Sequence, residues 1–256
     1  METEKYLKRI GVDPGDLRPN IESLRMLQRA HLLSIPFENL DIHWKRKIVL
    51  DVERFYEKIV EGGRGGFCYE LNGLFNELLV SLSFTTRLIS ARVARPDGNF
   101  APEFGHAAII TSIGGEEYLT DVGFGDFTSG PLRLAPGELQ QDANGVFLIE
   151  DQGGGSFLVK KQSGDDRKDQ YAFSDMARDL SEFAEMCDFQ QFSPESRFTK
   201  GKVCSLMTEN GRKTLTDSSF IVTAGGAINE RPVGTTADFD RILEDEFGIC
   251  PPAAAG

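Results

Sequence analysis

Apolar positions recur with a helical period through the first third of the chain and with a period of two through the middle. From Asn20, a candidate N-cap, Ile21, Leu24 and Leu27 share one face, and Pro36 ends the segment. Asp51 is placed to cap a second helix with Val52, Phe55 and Ile59 on its apolar side, stopped by Gly62 and Gly63. Leu71, Leu74, Phe75, Leu78 and Leu79 form a continuous apolar face on a third. This spacing predicts a small helical bundle over residues 1–84.

Alternation then predicts strands over 86–94, 104–112 and 117–122, separated by Pro96-Asp97-Gly98 and by Gly114-Gly115. Apolar runs at 145–150 and 156–160 flank three glycines and continue the β character, so a curved sheet or small barrel is expected. Residues 174–188 read as a helix with Met176, Leu180, Phe183 and Met186 inward. Weak strands follow near 203–207 and 219–223, then a last helix over about 238–247. The fold class is α+β, in three parts: 1–84, 85–190 and 191–256. The closing Pro-Pro-Ala-Ala-Ala-Gly reads as a frayed tail.

Composition narrows the functional classes. With 28 Lys plus Arg against 40 Asp plus Glu the formal charge is −12, and no stretch gathers a basic track, so nucleic acid is not expected as a partner. An anionic ligand would need a local site of backbone N–H groups or a few basic side chains. The opening METEKYLKRIGVDPGD lacks the apolar stretch of a secretory signal, and no run approaches a membrane span, so a cytoplasmic chain without membrane contact is expected. Cys68, Cys187, Cys204 and Cys250 are widely spaced and form no C-x-x-C pair; they read as reduced thiols, with no metal site.

Residues 61–72, EGGRGGFCYELN, run a Gly-rich turn into the third helix with Cys68 in its first turn. The unpaired N–H groups and the helix dipole favour an anion there, one way of making a thiol reactive. By itself such a cysteine is equally well a small buried hydrophobe. A two-residue turn at Gly114-Gly115 places Asp121 opposite Ala108 and Gly123 opposite His106, which makes His106 and Asp121 diagonal neighbours on one face. A carboxylate there can accept the Nδ1 proton of the imidazole and leave Nε2 for a thiol.

These residues stand in recognisable runs: RGGFCYELN at 64–72, FGHAAII at 104–110, YLTDVGFG at 118–125, SIPFENLDIH at 34–43 and PLRL at 131–134. Together they resemble the arylamine N-acetyltransferases over most of residues 30–135. The resemblance implies a helical bundle, a β-barrel domain and an α/β lid around a cysteine-protease-like core, with Cys68, His106 and Asp121 as catalytic triad. It further implies that Phe37 and the 124–129 loop, with Phe124, Gly125 and Phe127, border the acceptor pocket; Phe198 joins them on a looser match. The implied reaction is ping-pong transfer from acetyl-CoA through an acetylated cysteine to arylamines, extending to arylhydrazines or arylhydroxylamines, as in xenobiotic metabolism. A hydrolase with the same triad and a non-catalytic scaffold are the rival readings.

Other residues read more simply. His31 falls on the helical face of Leu24 and reads as packed and hydrogen-bonded, and His43 lies in a loop without an evident partner. Glu70 places a favourable negative charge in the first turn of the Cys68 helix.

Overall fold

The computed structural model describes residues 1–15 and 17–252; the Ala-Ala-Ala-Gly end of the expected tail lies outside them. The chain opens with α1 (Thr3–Arg9), α2 (Ile21–Ser34), the short β1 (Phe37–Glu38), α3 (Leu40–His43), α4 (Val52–Tyr56) with a π-helical turn at Glu57–Glu61, and α5 (Cys68–Ser81). Two caps act as the sequence suggests: Asn20 Oδ1 accepts from Ser23 N at 2.8 Å, and Asp51 Oδ1 from Arg54 N at 3.0 Å. The polar, short α1 was not anticipated; Tyr6 and Leu7 anchor it in the core.

Eight strands follow: β2 (Thr85–Val93), β3 (His106–Ile113), β4 (Glu116–Thr120), β5 (Leu132–Arg133), β6 (Leu139–Asp142), β7 (Gly145–Gly153), β8 (Ser156–Ser163) and β9 (Asp166–Ser174). They form one antiparallel sheet in the order β5-β4-β3-β2-β9-β8-β7-β6 that curls into a nearly closed barrel. At its seam one side chain replaces the missing ladder: Gln140 donates to Arg133 O at 2.8 Å and accepts from Arg133 N at 2.7 Å. Ile113 faces Glu116 and Ile109 faces Thr120, the register of a two-residue turn at Gly114-Gly115. Ile89, Ala108, Ile110, Phe147, Val159 and Tyr171 fill the interior.

The expected helix over 174–188 is corrected. Asp166–Ser174 is a strand, a 3-10 turn occupies Leu180–Phe183, and α6 spans Ala184–Phe192. Phe183 and Cys187 turn inward while Met176 is 56% exposed. Exposed charges over 166–169 hide the alternation of Tyr171 and Phe173, so this strand carries almost no apolar signal.

After a 3-10 turn at Arg197–Thr199, β10 (Val203–Thr208), β11 (Gly211–Thr216), β12 (Ser219–Ala224) and β13 (Ala227–Pro232) form a second antiparallel sheet, with α7 (Thr236–Phe247) packed on it. Its first strand comes from the other end of the chain: Phe37 pairs with Ser205 and Glu38 with Cys204. α5 is the hub. Leu71, Leu74, Phe75, Leu78 and Leu79 are fully buried against α1, α2 and the outer face of β2–β4, each worth about 1.5–3 kcal/mol of burial. No helix among the described residues is long and apolar enough to cross a membrane.

Candidate active site

Cys68 is the first residue of α5 and is 3% exposed. Its approach is set by glycine: a Cβ on Gly65 would lie 2.1 Å from Pro36 O, so only glycine lets the loop lie against β1. Gly66 then bonds the segment around β1, its O accepting from Glu38 N at 2.8 Å. Glu70 reaches back to Phe67 N at 3.0 Å, satisfying a helix-start donor. Glu70 is buried and ion-paired to Lys58 at 2.8 Å; burial pushes its carboxyl up while Lys58 draws it down. Lys58 and Arg64 also pair with Asp41, and Arg64 pairs with the buried Glu38. The SIPFENLDIH run is thus held to the Cys68 loop by charge. His43, expected without a partner, lies in α3 and bonds to Phe198 O at 3.0 Å.

His106 opens β3, and Asp121 follows the last residue of β4. Both are 2% exposed, and His106 Nε2 lies 2.7 Å from Asp121 Oδ2. The ring is therefore turned opposite to the expectation. Nε2 faces the carboxylate, which leaves Nδ1 as the nitrogen not engaged by Asp121, and the thiol of Cys68 is close enough to act on the imidazole. The reason is geometric: Asp121 sits beyond the paired end of the hairpin and meets the far tip of the ring. Burial works against a charged imidazole here, but the charge and hydrogen bond of Asp121, then Cys68, outweigh it and raise His106 to about 10.

Asp121 is held on every side. Oδ1 accepts from Asn72 Nδ2 at 2.9 Å and Gly123 N at 2.8 Å, and Oδ2 also accepts from the Tyr171 phenol at 3.1 Å. Burial, then Asp121, raises the Tyr171 phenol well above its ordinary value, so it stays a donor.

A cavity of about 860 Å³ opens beside the pair, lined by Phe37, Phe124, Gly125 and Phe198. The Phe124 ring stands 5.2 Å from that of His106 and joins the cavity to the buried site. Phe127 is placed differently from the expectation: it is 3% exposed and packs in the barrel interior against Phe124, Phe147 and Tyr171. Arg197, Lys200, Lys202 and Arg212 also line the cavity, against Asp126 and Asp217. Four cations facing two carboxylates reverse the sign of the molecule's net charge at this point.

A family profile described as N-acetyltransferase matches residues 20–252. A pineal-gland arylamine N-acetyltransferase isozyme of Gallus gallus is 31% identical, over 97% of this chain and 94% of its own length. The chain belongs to the arylamine N-acetyltransferase family. The arylamine N-acetyltransferase of Salmonella typhimurium superposes with a TM-score of 0.92 at 28% identity, covering 99% of this chain and 93% of that one. The Mycobacterium marinum arylamine N-acetyltransferase, solved in complex with CoA, superposes with a TM-score of 0.89 at 30% identity, covering 97% and 93%.

Three residues complete the site in this arylamine N-acetyltransferase family member without having been singled out from the sequence. Asn72, one helical turn after Cys68, also donates to Ala107 O at 2.7 Å and accepts from Val122 N at 3.0 Å, tying α5 to both strand ends. A polar residue on the inward face of an apolar helix was its available signal. A Cβ on Gly123 would lie 2.9 Å from Cys68 Cα, so its lack of a side chain lets the Asp121 segment reach α5. Tyr171 lay in the strand that charge concealed.

Proposed function

We propose that this chain transfers the acetyl group of acetyl-CoA to arylamines, and to arylhydrazines or arylhydroxylamines, by a ping-pong mechanism through Cys68, His106 and Asp121. The observation that carries the reading is the buried Asp121–His106 pair beside a thiol at a helix start. The imidazolium is favoured far above neutrality, and in the proposed cycle Cys68 reacts as its thiolate beside that positive charge. The thiolate attacks the thioester carbonyl; collapse of the tetrahedral adduct expels coenzyme A as thiolate, and the His106 Nδ1 proton goes to it. Neutral His106, with Nε2–H still on Asp121, then accepts the amine proton as the amine attacks acetyl-Cys68, and the Cys68 thiolate leaves.

The N–H groups that open α5, including that of Cys68, precede its first intrahelical bond, Leu71 N to Phe67 O at 3.0 Å, and are suited to receive the oxyanion. The cations of the cavity supply the local field that an anionic donor needs in a chain of net charge −12. Phe37, Phe124, Gly125 and Phe198 suit a weakly basic aromatic amine, which binds uncharged; Phe127 supports Phe124 from behind. The second sheet with α7 serves as the lid over this cleft, the helices and the barrel as the other two parts, 1–84 and 85–190. No metal enters the scheme, and the setting is cytoplasmic, in line with a substrate such as acetyl-CoA.

The test is a burst experiment with intact-mass detection. Acetyl-CoA alone should release about one equivalent of coenzyme A per site and leave one acetyl group on Cys68, discharged on addition of an aniline-type acceptor. Fast release without amine indicates a hydrolase, and Cys68→Ala retaining transfer removes the covalent step.

A further inference from the structure

Two residues before His106 the backbone takes a conformation that a bulky side chain rarely adopts. Phe104 has φ +62°, in the left-handed region, and such a residue persists only where its surroundings hold it. Here three elements hold it. Phe104 N donates to Ser90 Oγ of β2 at 2.8 Å, and the Tyr69 phenol of α5 donates to Phe104 O at 2.6 Å. Gln190 of α6 donates to Gly105 O at 2.9 Å and to the Tyr69 oxygen at 3.1 Å. The Phe104 ring is edged by Phe183 at 5.1 Å and faces the Arg178 guanidinium at 5.2 Å.

Tyr69 directly follows Cys68, so a short circuit links thiol and imidazole: Cys68, Tyr69, the phenol hydrogen bond, Phe104, Gly105, His106. We propose that Tyr69 is a positioning residue for acetyl transfer, its phenol, oriented by Gln190, holding the Phe104–Gly105 turn and so setting the separation of the Cys68 sulfur and the His106 ring. This rests on the Cys68–His106 reading above. Tyr69 is fully buried, and burial, then the charge of Cys68, raises its phenol well above its ordinary value. It remains protonated and always available to donate to Phe104 O. Its ring is gripped by Phe67 at 5.0 Å and Phe183 at 5.4 Å, so Tyr69→Phe removes the oxygen and leaves the ring seated.

The titratable groups around the pair come from every neighbouring element: Asp121 after β4, Tyr171 on β9, Cys187 on α6, Arg197 on the following turn and Glu70 on α5. Tyr69→Phe alters the charge of none of them. A change in thiol reactivity would thus report geometry.

The experiment measures iodoacetamide alkylation of Cys68 against pH and the rate of the coenzyme A burst. Tyr69→Phe should lower the alkylation rate at pH 7 about tenfold, the order of one buried hydrogen bond, and slow the burst by a similar factor at unchanged donor half-saturation. Gln190→Met should act in the same direction more weakly, and carries the test if Tyr69→Phe folds poorly. Gln190 acts partly through the Tyr69 phenol and partly on Gly105 O directly, so the loss in the double variant should fall short of the two single losses combined. An alkylation profile for Tyr69→Phe that superimposes on wild type, or additive losses in the double variant, overturns the proposal. Wild-type Cys68 reacting no faster than a free thiol would instead sink the Cys68–His106 reading on which it rests.

Discussion

Both oxygens of Asp121 accept two hydrogen bonds, from Asn72, Gly123, His106 and Tyr171. A carboxylate so satisfied is an efficient partner for an imidazolium and a poor site for its amide replacement. Asp121→Asn should cut the alkylation rate of Cys68 at pH 7 by 10²-fold or more, since the amide cannot stabilise the protonated ring; equal rates would uncouple Asp121 from the thiol. The His106 shift has a definite sign. Its folded value of about 10 lies above the ordinary 6.5, so its stabilising contribution is complete below about pH 6.5 and is lost as pH rises through about 10. Urea midpoints of wild type and His106→Gln should therefore converge over that window, and a constant gap would contradict the charged pair. At Gly123 a methyl group would meet Cys68 Cα at 2.9 Å and Asn72 Nδ2 at 2.7 Å. Gly123→Ala should cost about 1–3 kcal/mol of stability through overpacking, with the burst slowed more than the fold is weakened.

α5 serves as packing hub and as carrier of Cys68, the proposed nucleophile. Its apolar face lies on the sheet, while Asn72, one turn along from Cys68, bonds to Ala107 O, Asp121 Oδ1 and Val122 N. That single amide keeps helix and hairpin in register. Asn72→Ala strands three buried groups and should lower stability by roughly 3 kcal/mol, seen as a fall in the urea midpoint together with a smaller burst. A fall in stability with an undiminished burst would reduce Asn72 to a structural tie.

For the whole molecule, a field of net charge −12 surrounds a cavity lined by four cations. Lys202 is paired with Asp217 and Arg212 reaches Gly125 O, so the lining is partly braced against its own carboxylate and carbonyl neighbours. Screening acts on both the repulsion and the local attraction, but the short-range term dominates at the site. Lys200→Glu should raise the acetyl-CoA KM several-fold and leave the acceptor KM near wild type, as steady-state kinetics at 50 mM salt would show. Equal KM values in variant and wild type would place the donor elsewhere. The cavity exists only because the first strand of the second sheet is β1, from the opposite end of the chain, which brings Phe37 to Phe198 at 6.1 Å between ring centres.

What the sequence determined by itself was local or nearly so. The caps at Asn20 and Asp51, the apolar face of α5 and the Gly114-Gly115 register all follow from periods and turn chemistry within a few residues. Cys68 could be placed at a helix start, and His106 beside Asp121, because a helix origin and a two-residue hairpin are local geometry. Tertiary structure decided the rest. Which imidazole nitrogen meets Asp121 depends on where the carboxylate sits beyond the last strand pair, and the strand register does not encode that. Tyr171, Gln190 and Phe198 arrive from elements 65 to 130 residues away in sequence from Cys68 or His106. Phe127 was an aromatic in the right loop, yet the tight turn after Asp121 sends it into the barrel. Periodicity assigns a side chain to a face; only closure of the barrel and pairing of β1 with β10 assign that face to core or cavity.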